Sequence, residues 1–192
     1  MPTAFQLVLG VVALLVLGAL FLVGRRLARV WLAHRGTQVV VCPENQQTAA
    51  IEVDARHAAL TASHGEPQLQ LDSCTRWPER GGCSQECLAQ VTSAPGACLL
   101  LNILGDWYRG RKCAYCGRDF ETLHWHDHRP ALVAPSGELH EWASFPPERI
   151  YDVLASHAPV SWDCGVAERF RRAHPELLTD RPPRTGIPPS MA

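Results

Sequence analysis

Residues 112–120 read Lys-Cys-Ala-Tyr-Cys-Gly-Arg-Asp-Phe, and the spacing of Cys113 and Cys116 bears most directly on the kind of fold this chain builds. Two thiolates separated by two residues can wrap one metal ion in a tight knuckle. Gly117 supplies the backbone freedom such a turn needs. The same spacing also fits a redox dithiol, but that motif belongs beside a βαβ pattern. Here Gly117, Arg118 and Asp119 follow, and they continue no helical pattern. The metal knuckle is the favoured reading.

A metal held by one knuckle needs further ligands. Ser161-Trp162-Asp163-Cys164-Gly165 would be a second Cys-x2-Cys-Gly unit if residue 161 were cysteine. Cys164 is therefore the expected third ligand. His157 is a candidate for the fourth, since Ser161 is a poor zinc donor. His124, His126, His128, His140 and His174 can also approach in space. An open fourth position is how catalytic zinc sites are built. On Cys113, Cys116, Gly117, Cys164 and Gly165, residues 109–180 resemble zinc-ribbon domains in general, with Ser161 departing from the four-cysteine form. The resemblance implies a zinc-stapled architecture and no particular activity.

Between these cysteines lies His124-Trp125-His126-Asp127-His128. If residues 123–128 form a strand, the three imidazoles share one face, with Trp125 and Asp127 opposite. Alternate histidines of this kind can hold zinc, copper or iron, with Glu121 placed to orient a ring. His126 and His128 are carried forward as candidate ligands.

Upstream, residues 38–108 read as a separate α+β module. Short strands are expected at 38–42, 50–54, 58–60 and 69–71. Helices are expected from Cys83 or Ser84 to Val91 and from Ala97 to Tyr108, parted by Pro95-Gly96. Cys42, Cys74, Cys83 and Cys87 offer four thiolates for a closed site, suited to zinc or to iron–sulfur. Cys83 and Cys87 would lie one turn apart on a helix. Cys98 opens the apolar run Cys98-Leu99-Leu100-Leu101 and is expected in the core. In the second module, residues 131–134 and 139–142 read as a hairpin about Pro135-Ser136-Gly137-Glu138. Helices follow from Pro146-Pro147 to Ser156 and from Cys164 to Ala173. The proline-rich tail, 181–192, reads as disordered.

The amino terminus has a different texture. Residues 5–24 carry no charged side chain, while Arg25, Arg26, Arg29 and Arg35 follow at once. These twenty residues, with Gln6 the one polar side chain, span about 30 Å as a helix, enough to cross a bilayer. The basic flank places the body in the cytoplasm by the positive-inside rule. Residues 1–37 are thus expected to anchor the chain, by a single pass, in an inner or plasma membrane. In that reducing compartment eight cysteines point to metal before disulfides.

Among 192 residues there are 18 basic and 19 acidic side chains, a net charge of −1. Nucleic-acid binding by bulk charge is excluded. Arg169, Arg171 and Arg172 form the densest basic cluster, read as solvated surface with anionic lipid as the alternative. No HExxH, GxGxxG, Walker or GxSxG motif is present, nor Cys-x2-Cys-His, so no enzyme class is indicated. The sequence leads to the expectation of a small α+β, metal-stabilised, membrane-anchored cytoplasmic protein. It would bind one or two zinc ions, touch lipid through its anchor, and act on another protein as an interaction or accessory subunit. The alternative is metal handling or redox work at an accessible Cys/His centre.

Overall fold

The computed structural model describes residues 4–80, 82–120, 123 and 125–177. The chain divides into two compact units, with the boundary between Leu100 and Leu101.

The first unit opens with α1, Ala4–His34, about 46 Å long at helical rise. Residues 4–26 are exposed all round, with Leu14 71% and Phe21 67% accessible. None of the described residues covers this surface. A helix apolar on every side and left uncovered has the length and composition to span a membrane. Its final residue, His34, is buried, so α1 runs directly into the folded body.

Three antiparallel strands follow in the order β1-β2-β3: β1 Thr37–Val41, β2 Thr48–Val53 and β3 Leu71–Cys74. Val39 pairs with Ala50, and Ile51 with Cys74; the register shifts between Glu52 and Val53. Because β1 and β3 both run antiparallel to β2, their C-terminal ends lie at the same end of the sheet. That brings Cys42 and Cys74 together from positions 32 apart in the sequence.

Residues 58–60 are not a strand, contrary to expectation. They belong to α2, Ala55–Thr61. Asp54 Oδ1 accepts from the backbone N–H groups of Arg56 at 3.0 Å and His57 at 2.9 Å, an N-cap that alanine-rich sequence then propagates. The expected helix from residue 83 also begins later, as α3, Leu88–Ser93. Gln85 stands at φ 58°, and its side-chain oxygen accepts from Leu71 N–H at 3.1 Å, so this loop serves the sheet edge. Cys83 and Cys87 are therefore not stacked on one helix. The long helix expected at 97–108 is split into α4, Pro95–Cys98, and α5, Leu100–Tyr108. At the break, Leu99 is extended and bridges Gln38 of β1. The core joins Val40, Ile51, Val53, Leu71, Val91, Cys87 and Cys98.

The second unit takes most of α5, a helix the sequence grouped with the first module. Tyr108 is fully buried and donates its hydroxyl to Ala131 O at 2.9 Å, and its ring meets Phe120 edge-on. The hairpin forms as expected from β4, Ala131–Val133, and β5, Leu139–Glu141, with Gly137 at φ 85° in its turn. A third strand, β6 Ala158–Val160, had no clear signal in sequence. It lies antiparallel to the other side of β4. Two helices complete the unit: α6, Ile150–Ser156, entered through a short 3-10 turn, and α7, Trp162–Ala173.

The expected strand at 123–128 does not form among the described residues; 125–128 are bends. Without a strand, the alternation that would align the imidazoles is lost. His124, Glu121 and the tail at 181–192 lie outside the described residues.

Candidate metal centre

In the second unit, Cys113 sits on the inward side of a knuckle closed by two backbone bonds. Cys113 N–H donates to Arg118 O at 2.9 Å, and Gly117 N–H donates to Cys113 O at 2.9 Å. Gly117 takes φ 71°, a left-handed conformation that a Cβ would penalise. A bridge between Lys112 and Asp119 closes the base. The knuckle is fastened to β6, since Ala114 N–H donates to Pro159 O at 2.9 Å.

The opposite side is built by α7. β6 ends at Val160 and the helix starts at Trp162, so Cys164 is presented from the first helical turn, not from a second knuckle. This differs from the ribbon form expected from Cys164-Gly165. The small Gly165 allows close approach: its missing Cβ would stand 3.4 Å from that of Ala131.

These elements bring the sulfurs of Cys113, Cys116 and Cys164 within 4.8 Å of one another. Among the described residues this is the one group of three or more His, Cys, Asp or Glu donors so close. Cys113 is buried, whereas Cys116 and Cys164 are half-buried. Three soft thiol donors converging on one point can hold a metal ion. The position expected of a fourth cysteine is Ser161. Its Oγ is buried against the Cys164 thiol, and its backbone N–H donates to Cys113 Sγ at 3.3 Å.

The three thiols are electrostatically unlike. Burial pushes Cys116 up, but the backbone and guanidinium of Arg118, together with the neighbouring Cys113 and Cys164, bring it down to about 6. Burial pushes Cys164 up to about 11, with Cys116 and Cys113 adding to the rise. The shift favours the thiolate of Cys116 over that of Cys164. Arg118 also reaches toward Asp163 at 3.9 Å, linking knuckle and helix across their exposed ends. Arg118 was not singled out from sequence; its signal is its place two residues after Cys116, where a turn points it back.

An open groove of about 650 Å³ adjoins the thiols, lined by Arg118, Phe120, Leu123, His128, Ser161 and Trp162 among others. His128 reaches this groove stacked on Trp162, ring centroids 4.4 Å apart, and is exposed. His126 is exposed nearby in sequence. Neither belongs to the thiol group. His157 stands away from it too: its ring packs against Phe145 and His140, and its Nδ1 lies 2.9 Å from Val153 O. Trp125 and Trp142 meet edge-to-face, ring centroids 6.0 Å apart, and are half-buried. The cluster of Arg169, Arg171 and Arg172 is ion-paired, with Glu141 at 2.6 Å and with Glu168 at 2.6 and 3.0 Å.

In the first unit, Cys42, Cys74, Cys83 and Cys87 line one small cavity, and Cys98 lies in the core. All eight cysteines are free thiols. Comparison with protein-family models, with curated proteins and with solved structures found no match.

Proposed function

We propose that this chain is a membrane-anchored cytoplasmic zinc protein that serves as an interaction or accessory subunit. The convergence of Cys113, Cys116 and Cys164 within 4.8 Å carries the reading. A tetrahedral zinc ion with bonds of about 2.3 Å separates its thiolates by about 3.8 Å, which matches so tight a group better than a larger cofactor would. The knuckle resembles the cysteine turn of a zinc ribbon, which supports zinc as the occupant. Four arginines behind an uncovered apolar helix support a cytoplasmic body, as do eight free thiols. The groove, lined by Trp162 and Phe120 together with charged Arg118 and Asp119, has the mixed character of a protein-binding surface.

The test is zinc content of the full-length protein purified in detergent, with a photo-crosslinking residue in place of Trp162. One zinc per chain that is lost in Cys116→Ser, with a discrete crosslinked partner that is lost as well, is the expected result. Wild-type protein without zinc would overturn the assignment. A second reading, metal handling or redox work, is favoured by the downward shift of the Cys116 thiol. Rapid exchange of the ion with a chelator while the fold persists would select it over the first.

A further inference from the structure

The first unit holds a second cluster of thiols, independent of the zinc reading above. Cys42 follows β1, Cys74 ends β3, Cys83 lies in the loop after it, and Cys87 stands just before α3. The antiparallel sheet delivers the first two to one end, and the loop held by Gln85 folds the other two over them. All four line a small cavity of about 30 Å³, whose walls include Ile51 and Trp77.

This cavity differs from the thiol group of the second unit in its spacing. No three of its four sulfurs lie within 4.8 Å of one another. A single zinc ion would draw them to about 3.8 Å. Here the sulfurs line a common cavity, which leaves room between them for an occupant of more than one atom. Arg76 donates to Cys42 Sγ at 2.8 Å and lies 3.7 Å from Glu44, which also pairs with Arg80 at 3.1 Å. A guanidinium on a ligating sulfur offsets the negative charge that four thiolates would concentrate. Hydrogen bonds to sulfur are also among the means by which proteins tune iron–sulfur clusters.

We propose that Cys42, Cys74, Cys83 and Cys87 hold an iron–sulfur cluster in the cavity at the end of the β1-β2-β3 sheet. Each thiol loses its proton to solvent as it binds iron, and the cluster brings its own inorganic sulfide. The remaining core cysteine, Cys98, is not among the cavity residues and takes no part.

The experiment is elemental analysis and acid-labile sulfide determination on full-length protein purified anaerobically in detergent, in parallel with Cys74→Ser, Cys116→Ser and Cys98→Ala. Iron and sulfide in comparable amounts are expected in the wild type, Cys116→Ser and Cys98→Ala. At least a tenfold loss of both is expected in Cys74→Ser. Reconstitution of stripped wild type with ferrous iron and sulfide gives the same reading without any variant, should Cys74→Ser fail to fold. Zinc in place of iron, without sulfide, would overturn the cluster. Metal contents identical in wild type and folded Cys74→Ser would overturn the site itself. Loss of zinc in Cys116→Ser alone reports on the other centre, so the two assignments fail separately.

Discussion

Cys113, Cys116 and Cys164 crowd within 4.8 Å beside residues of an open groove, whereas Cys42, Cys74, Cys83 and Cys87 line a small cavity of about 30 Å³. Both sets depend on a three-stranded antiparallel sheet, but they use it differently. In the first unit the sheet end itself carries two thiols, and a loop folds two more over it. In the second unit the sheet carries none; β6 only fastens the knuckle and launches α7. Thiols set on a sheet end are spaced by strands and hold an opening between them, while a knuckle and a helix turn can close onto a point. The electrostatics follow the same division. Arg118 favours the thiolate of Cys116 in the open group, and burial among other sulfurs favours the protonated form of Cys87.

The strongest way to break this comparison is to remove the buried ligand of the second unit. Cys113 belongs to the core with Ala131, Val133 and Val160, and it would contribute to metal binding as well. Cys113→Ala is expected to abolish metal binding there and melt β4 to α7, because structural metal binding is folding free energy of roughly 10–16 kcal/mol in small zinc modules. Hydrogen exchange should show protection lost across residues 131–173 and retained across 37–74. Full protection of both regions in metal-free Cys113→Ala would refute the structural role.

A smaller effect sharpens the electrostatic contrast. After chelation, alkylation at pH 7 should modify Cys116 at least tenfold faster than Cys87, read by peptide mass spectrometry. Thiolate is the reacting form. The Cys116 rate should therefore hold above pH 6 and fall as pH drops through about 6, and Cys87 should become reactive only as pH approaches about 11. Arg118→Ala is expected to move the Cys116 inflection upward by about one pH unit, the low end of what a neighbouring opposite charge does. An unmoved inflection would remove Arg118 from the account.

The smallest expected effect concerns the knuckle alone. Gly117 at φ 71° should make Gly117→Ala cost about 1–2 kcal/mol, read as a lower Tm of the second unit with metal stoichiometry intact. An unchanged Tm would mean the turn relaxes at no cost.

Local chemistry was legible without the fold. The apolar run at 5–24 with its arginine flank, the Cys113–Cys116 knuckle with Gly117, the hairpin at Pro135–Glu138 and the start of β1 all rest on neighbours in sequence. Each is decided within a few residues by hydropathy, charge or backbone freedom. Other elements answered to partners far along the chain. Leu99 leaves the helix to bridge Gln38, Gln85 leaves it to serve Leu71, and β6 exists because β4 has a free edge. The same holds for the sites. Which residues could ligate a metal was written in their chemistry, but which sulfurs converge, how far apart they stand, and which arginine reaches which thiol came from strand direction and packing. Antiparallel pairing alone puts Cys42 and Cys74 at one end of a sheet, and no local pattern of residues encodes a distance between segments so far apart.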